Sequence, residues 1–242
     1  MSKTYNKLWV FGDSYTTPDL FVDSKDSFWG LTACELKIPT IVNCSRSVNS
    51  FTSVQHLLVG FSNLIDWDND LIFLGIPPLE RVTIFDDYKD TEYLGSTITT
   101  ENWDVKQFSI PQHHGLICEQ NFGNDKFLVT HSDRSWIETD TLRQIFLLTQ
   151  WLDSVKSNYL ILNLSRDFDS NNVWGPSDFV LPYCQSHKNC LLFENTYRNI
   201  NLEINKPVDF DCYGWNGHHG AAGNKRFFEL AVLKKLKELN LC

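Results

Sequence analysis

The chain has 242 residues, with 21 Lys plus Arg against 30 Asp plus Glu, so its formal net charge is −9. This length suits one α/β domain spanning 1–242, and 42% apolar with 14% aromatic residues is enough for a sizeable core. The acidic balance argues against nucleic acid or an anionic membrane surface as a partner, because both need a basic face. No apolar run approaches the ~20 residues of a membrane span.

The N-terminal segment 1–7 leads into only about five apolar residues, too few for the core of a signal peptide. The seven cysteines are unevenly spaced, which favours free thiols in a reducing compartment. We therefore expect a cytoplasmic protein. If the chain is viral, release by lysis needs no export signal, so association with a virion stays open. The sequence contains no signal for an oligomeric state.

Short apolar runs alternate with segments of helical periodicity, which is typical of a parallel sheet covered by helices on both faces. Gly75 and the pair Pro77-Pro78 are expected to end the third strand. The predicted strands are 8–11, 41–42, 71–74, 159–162 and 191–193, and the predicted helices are 28–36, 53–63, 139–156 and 221–239.

Two further segments are predicted from their patterns. Residues 81–135 are polar, rich in aromatic side chains and poorly periodic, which indicates an irregular insertion with some β structure. In the last helix, Phe227, Leu230, Leu233 and Leu236 recur at the spacing of one helix face, so all four are predicted to point inward.

The first predicted strand runs directly into the block Phe11-Gly12-Asp13-Ser14-Tyr15. Ligands of parallel sheets gather beyond the carboxyl ends of the strands. A serine at such a turn presents its hydroxyl at the rim of the sheet, where the following amides can face an anion. The competing interpretation is a capped turn in which Asp13 or Ser14 caps a helix.

This block resembles the nucleophile block of the SGNH/GDSL hydrolase family, whose members carry Phe-Gly-Asp-Ser at this place. The resemblance implies a flavodoxin-like, three-layer α/β/α fold with a central parallel sheet. It also implies ester hydrolysis with Ser14 as the nucleophile. The sequence contains no glycine-rich phosphate loop of the P-loop or dinucleotide type, so we expect no cofactor.

The family places its catalytic histidine in a loop before the last helix, as Asp-x-x-His-Pro followed by a glycine. Here that loop contains two adjacent histidines. Counting back from Gly223 gives His218 the catalytic position, whereas counting forward from Asn216 selects His219. We prefer His218 as the base, and His219 stays the alternative.

The family's aspartate lies two or three residues before the histidine, where this chain has Trp215 and Asn216. That carboxylate fixes the imidazole tautomer and stabilises the imidazolium. Asp211 or Asp209 could take its place if the loop folds back, and both could equally be solvated loop charges. A backbone carbonyl could also orient the ring, which would leave a Ser-His dyad.

The oxyanion site departs further from the family, which uses the amide of the nucleophile, a glycine amide after the second strand and an asparagine after the third. No glycine follows the second predicted strand, so Val48 or a neighbour would have to provide the backbone N–H. After the third predicted strand, Gly-Ile-Pro-Pro stands where the family has its asparagine, and Asn49 or Arg81 could supply the missing hydrogen-bond donor. Asp13 and Gly75 complete the predicted oxyanion and substrate-binding set.

Two histidine groups could in principle bind a metal ion. His113 and His114 could join the C-terminal histidine pair, and Cys184-x-x-His187-x-x-Cys190 could supply three zinc ligands. Neither group shows a complete, recognisable ligand spacing. We expect no metal, and an ordinary loop at 184–190.

Four tryptophans lie in predicted loops, where they could stack on sugar rings or simply belong to the core: Trp103, Trp136, Trp174 and Trp215. The sequence therefore predicts a serine ester hydrolase that removes a small acyl group from a small-molecule or glycan ester. The alternative is a catalytically inactive protein that kept this fold as a binding or structural module, for example in a virion.

Overall fold

The central sheet is seen in a computed structural model, which describes residues 3–13, 15–17, 22–45, 51–77, 82–85, 93–110, 116–119, 134–164, 179–193, 196–197, 200 and 220–242. Its strands are β1 (Lys7–Phe11), β2 (Thr40–Asn43), β3 (Asp70–Ile76), β4 (Val82–Phe85), β5 (Tyr93–Thr99), β6 (Asp104–Ile110), β7 (Leu116–Glu119), β8 (Asn158–Asn163) and β9 (Cys190–Leu191). Seven of them form one sheet in the order β6-β5-β2-β1-β3-β8-β9, and β4 pairs with β7 separately.

Five neighbouring strands of this sheet, β2-β1-β3-β8-β9, run parallel. Numbered within that set, their order is 2-1-3-4-5, the order of flavodoxin-like folds. The chain reverses its direction of winding at β1, so the crevice beyond the carboxyl ends of β1 and β3 is the expected ligand position. The predicted flavodoxin-like arrangement of parallel strands is confirmed.

Helices cover both faces of the sheet, as predicted. They are α1 (Phe28–Glu35), α2 (Phe51–Gly60), α3 (Arg134–Ser154), α4 (Val180–Ser186), α5 (Ala221–Phe227) and α6 (Leu233–Glu238), and a π-helical turn (Phe228–Val232) joins the last two. No helix in the described part of the chain is long and apolar enough to cross a membrane.

The two faces alternate along each central strand because successive strand side chains point in opposite directions. In β1, Trp9 and Phe11 join the core beneath α2, α3 and α4. Leu8 and Val10 join the second core beneath α1 and the C-terminal helical segment. Strands buried on both faces read as continuous apolar runs, which is why the sequence located them.

The predicted insertion is partly integrated into the central sheet. β5 pairs antiparallel with β2, and β6 pairs antiparallel with β5, so the sheet is mixed rather than wholly parallel. The β structure predicted within residues 81–135 is therefore present, and this hairpin extends the central sheet. Its period is that of a half-exposed strand, since Ile98 is buried while Thr97 and Thr99 are partly exposed.

Two local predictions are corrected. β3 does not end at Gly75 but continues through Ile76, because both residues keep their pairing with β8. Leu230 does not point inward and is 49% exposed. The π-helical turn adds a residue to one turn and shifts the phase of the helix, so that Phe228 and Ala231 are buried instead.

Candidate active site

The candidate site lies at the carboxyl edge of the parallel strands, where the ends of β1, β2, β3 and β8 meet. The strand ends are tied together by backbone hydrogen bonds, with Cys44 N donating to Val10 O at 2.8 Å and Leu164 N donating to Ile76 O at 3.3 Å. This edge is where an α/β sheet of this order holds its ligands.

The turn after β1 is organised by Asp13, which is fully buried. Its Oδ1 accepts a hydrogen bond from the Tyr15 backbone N–H at 3.1 Å. Its carbonyl accepts from the Thr16 N–H at 3.0 Å and from the Thr16 hydroxyl at 2.9 Å. Side-chain capping of this kind fixes a tight turn. Ser14 lies outside the described residues, and the residues on either side of it are held by this turn.

Two glycines allow the backbone to pack closely beneath the turn. A Cβ on Gly12 would lie 2.4 Å from Thr16 Oγ1. A Cβ on Gly75 would lie 2.4 Å from Leu164 Cδ1 and 3.5 Å from the Gly12 Cα. Gly75, predicted to bind substrate or the oxyanion, is thus a buried residue of β3 that makes room for its neighbours.

Asn43, the last residue of β2, holds the turn after β1 in place. It was not among the residues predicted to belong to the site. Its Nδ2 donates to Thr16 O at 2.8 Å and its Oδ1 accepts from the Ser45 N–H at 2.9 Å. Asn163, at the end of β8, donates from Nδ2 to Leu192 O at 3.0 Å. An asparagine closing a buried strand at this edge is the signal that could have identified both residues.

Segments near both termini converge beside this edge. The Tyr15 ring meets Tyr197 edge-on, with centroids 5.5 Å apart. The backbone N–H of Phe28, where α1 begins, donates to Asn224 Oδ1 at 3.1 Å. Asn224 in turn contacts the carbonyl of Gly220 through its own N–H at 3.0 Å and its Nδ2 at 3.1 Å. The residue that directly follows the histidine pair is therefore tied to the start of α1.

Most predicted site residues lie outside the described part of the chain. They are Ser14, Val48, Asn49, Arg81, Asp209, Asp211, His218 and His219. His113, His114, Trp174 and Trp215 lie outside it as well. Their predicted roles stay predictions.

Two tryptophans predicted in loops can be compared with the structure. Trp136 lies in helix α3 rather than in a loop. Trp103 lies in the turn between β5 and β6, where the Thr100 N–H donates to Pro39 O at 3.1 Å. Pro39 precedes β2, so this turn lies at the amino edge of the parallel strands, opposite the candidate site. The antiparallel pairing of β5 with β2 explains that placement.

The segment that could have bound zinc is not a loop, because Cys184 lies in α4 and Cys190 in β9. The His187 ring is held on both sides, with Nε2 at 3.1 Å from Asp153 Oδ2 and Nδ1 accepting from the Asn189 N–H at 3.3 Å. Within the residues that the structure describes, no group of three His, Cys, Asp or Glu side chains is arranged to hold a metal ion.

The cysteines whose side chains are described are free thiols, as predicted: Cys34, Cys44, Cys184, Cys190 and Cys242. Burial raises the pKa of Cys184 to about 12. Burial also raises the pKa of Cys44 and of Cys190 well above their ordinary value. These three thiols are therefore neutral side chains of the core at ordinary pH.

Comparison with known proteins gives a structural similarity and no sequence relative. The chain resembles a crystal structure of a member of the lipolytic protein G-D-S-L family from Veillonella parvula DSM 2008, at 12% identity and a TM-score of 0.49. The match covers 96% of this chain and 97% of that chain. No protein-family model and no curated protein matches the sequence.

Proposed function

We propose that the protein is a serine ester hydrolase in which Ser14 attacks an acyl carbonyl. His218 takes the proton of the hydroxyl and later returns it to the leaving alcohol. The observation that carries the proposal is the turn after β1, where Asp13 Oδ1 holds the Tyr15 N–H at 3.1 Å at the carboxyl edge of the sheet. A serine between those two residues follows the end of β1 directly, at the edge where parallel sheets gather their ligands.

Convergence of the two chain segments supports His218 as the partner of Ser14. The contact between Phe28 N and Asn224 Oδ1, at 3.1 Å, joins the start of α1 to the first turn of the last helix. Helix α1 follows the Ser14 turn, and the helix containing Asn224 follows the two histidines. A serine hydroxyl and an imidazole on such neighbouring segments can come within hydrogen-bond distance, which general-base activation requires.

We propose that the remaining groups of the mechanism act at the same edge. Asp211, or Asp209 or a backbone carbonyl in its place, would orient the imidazole. The amides of Ser14 and of residues 47–49, assisted by Asn49 or Arg81, would stabilise the oxyanion of the tetrahedral intermediate. Gly12 and Gly75 let the strand ends approach closely enough for this crevice to form.

We propose a small acyl group on a carbohydrate as the substrate, or another small ester. Exposed aromatic side chains stack on sugar rings, and the predicted candidates near the histidines and the preceding loop are Trp215 and Trp174. Trp103 is withdrawn from this set because it lies at the opposite edge of the sheet.

One observation favours a second candidate, a non-catalytic binding module on the same fold. The two described asparagine amides at this edge already donate to backbone carbonyls, Asn43 to Thr16 O at 2.8 Å and Asn163 to Leu192 O at 3.0 Å. Each of these amides thus uses one of its two N–H groups to hold the strand ends together. Loss of one oxyanion donor typically slows acyl transfer ~10²–10³-fold, which would leave a weak or inactive enzyme.

A fluorophosphonate probe separates the two candidates, because it reacts only with an activated serine. We expect covalent labelling of the peptide that contains Ser14, and loss of labelling in Ser14→Ala. Hydrolysis of p-nitrophenyl acetate should fall by about 10² or more in His218→Ala, which removes the general base. His219→Ala is the matched control, and its activity should stay within about threefold of the wild type.

Circular dichroism and thermal unfolding of each variant show whether it is folded. A folded wild-type protein that is not labelled would contradict the esterase proposal and support the binding module. Labelling that is lost in His219→Ala and retained in His218→Ala would reverse the assignment of the base while keeping the nucleophile.

A further inference from the structure

A buried asparagine closes strand β2 at the carboxyl edge of the sheet. The strand is apolar at Ile41 and Val42, and the next residue, Asn43, has only 1% of its surface exposed. An asparagine side chain has two donor hydrogens and an acceptor oxygen, and burying such groups without partners is costly. An asparagine is therefore expected here only if its amide is bonded on both sides.

The two ends of the Asn43 amide hold two different chain segments. Its Nδ2 donates to the carbonyl of Thr16, 27 residues earlier in the turn after β1, at 2.8 Å. Its Oδ1 accepts from the backbone N–H of Ser45, at the beginning of the segment that follows β2, at 2.9 Å. The side chain therefore links the turn after β1 to the segment after β2.

Further contacts seat the beginning of the second segment on β1 itself. The Cys44 N–H donates to Val10 O at 2.8 Å, and the Ser45 hydroxyl lies 3.5 Å from the same carbonyl. Ser45 is 4% exposed, so little water reaches these bonds. Asn43 extends this attachment beyond the end of β1, to the turn in which the predicted nucleophile lies.

We propose that Asn43 is a positioning residue for the ester hydrolysis proposed above, and this inference rests on that function. Asn43 sets the distance between the Ser14 hydroxyl and the backbone N–H groups of residues 47–49, because each group belongs to one of the two segments that its amide joins. Oxyanion donors act at about 3 Å, and a misplacement of about 1 Å can cost ~10²-fold in rate.

The substitution Asn43→Asp separates the two contacts of the amide. It keeps the oxygen that accepts from Ser45 and removes the donor to Thr16 O. An ionised carboxylate places a second oxygen against that carbonyl, whereas a protonated carboxyl can donate to it. The other titratable side chains described in the two segments are acids: Asp13, Tyr15 and Cys44. Burial without a cation raises the pKa of the introduced carboxyl, so lowering the pH should restore the lost bond.

The measured quantity is the rate of labelling by a fluorophosphonate, divided by the wild-type rate at the same pH so that titration of the shared base cancels. We expect Asn43→Asp to lower this ratio about 10²-fold at about pH 8, and the ratio to recover at least about tenfold at about pH 6. A role confined to stability would leave the ratio of the folded variant independent of pH.

Asn189→Asp is the matched control at the opposite edge of the sheet. Asn189 is also buried, and its Nδ2 donates to the carbonyl of Tyr159 at 3.1 Å. It directly precedes the parallel strand β9, so it lies at the amino edge. The labelling ratio of Asn189→Asp should stay within about threefold of the wild type at both pH values.

Equal ratios in the two variants, or a folded Asn43→Asp whose ratio does not change with pH, would overturn this proposal alone. A folded wild type that is not labelled would overturn the esterase proposal and this one together. If circular dichroism shows that Asn43→Asp is unfolded, Asn43→Ala replaces it, since it removes both contacts without burying a charge. Labelling of Asn43→Ala within about threefold of the wild type would overturn the positioning role.

Hydrogen exchange of the wild type tests the link without a substitution or a substrate. The side-chain amide of Asn43 should exchange at least about tenfold more slowly than that of Asn63, which is exposed. Equal exchange of the two side-chain amides would show that Asn43 does not hold the two segments together, and would overturn the proposal whether or not Ser14 is labelled.

Discussion

At the scale of single residues, Asp13 has a structural role that differs from the role predicted from the motif. In the sequence, Asp13 belongs to a predicted nucleophile block and is a candidate substrate-binding residue. In the structure its carboxylate is fully buried and accepts the Tyr15 N–H at 3.1 Å. Its evident contribution is to fix the backbone of Tyr15 and Thr16 in the turn after β1.

This role predicts a difference between two substitutions of Asp13. Asp13→Ala removes the acceptor and should lower the free energy of unfolding by about 1–2 kcal/mol, as loss of a capping side chain does. Asp13→Asn keeps an Oδ1 acceptor and should lose less than about half of that amount. Urea unfolding at neutral pH measures both, and equal losses in the two variants would contradict the capping role.

Gly75 gives a second test at this scale. A Cβ at Gly75 would lie 2.4 Å from Leu164 Cδ1, so Gly75→Ala should destabilise the protein by about 1–3 kcal/mol through overpacking. Gly60, the last residue of α2, has nothing within 4 Å of an added Cβ, so Gly60→Ala should be neutral or stabilising by up to about 1 kcal/mol. Thermal unfolding compares the two, and a similar loss in both would show that crowding at Gly75 is not the cause.

At the scale of secondary structure, the parts that could be predicted are those whose pattern is set by burial. The middle residues of β1, β3 and β8 are apolar because both faces of these strands are covered, and the sequence located all three. The bounds and pairing of the β5–β6 hairpin were not predicted, although some β structure was expected in residues 81–135, because exposed strands lack a continuous apolar run. Its clearest sequence signal was the run Thr97-Ile98-Thr99.

The phase of the last helix could not be predicted, because a period of 3.6 assumes unbroken α-helical geometry. The π-helical turn leaves Leu236 fully buried and Leu230 at 49% exposure. Leu236→Ala should therefore cost about 2–5 kcal/mol, whereas Leu230→Ala should cost less than about 0.5 kcal/mol. Chemical unfolding measures the loss of stability in the two variants. A similar loss in both would contradict the π-helical turn and would indicate an unbroken α-helix with both side chains buried.

At the scale of the whole molecule, the buried thiols make stability depend on alkaline pH. Cys184 has its pKa raised by burial to about 12, from an ordinary value of 9.0 that the unfolded chain retains. Above pH 9.0 the unfolded state therefore loses a proton that the folded state keeps, and stability falls as the pH rises toward the folded pKa. Cys44 and Cys190 act in the same direction.

Each such thiol should contribute up to about 1.4 kcal/mol per pH unit to this loss. In Cys184→Val the unfolding free energy should fall by about 1 kcal/mol less than in the wild type between about pH 9 and pH 10, because the unfolded thiol is only about half ionised at the lower pH. Cys242→Ser is the control at an exposed thiol and should change the slope much less. Guanidinium unfolding across this pH range measures how steeply the free energy of unfolding falls with pH. The same dependence in all three proteins would show that the Cys184 thiol does not cause the fall.

The candidate site was predictable only in part, for a physical reason. The block at 11–15 follows a strand with both faces buried, so its place at the carboxyl edge could be inferred from the chain alone. The position of Asn43 at the end of a buried strand could likewise be inferred, but its partner could not, because Thr16 O is brought to 2.8 Å from Asn43 Nδ2 by tertiary packing. Contacts between separate loops are set by tertiary packing, and no local pattern encodes them.

The β5–β6 hairpin has a further effect on how copies of the protein meet in solution. By covering β2, it moves the outermost described position of the sheet to β6, where Asp104 and Lys106 are both exposed and lie 3.8 Å apart. A foreign strand adding itself there would have to strip water from both charges. The hairpin thus replaces the apolar strand β2 by a charged strand at this edge, which disfavours the addition of a strand from another molecule there.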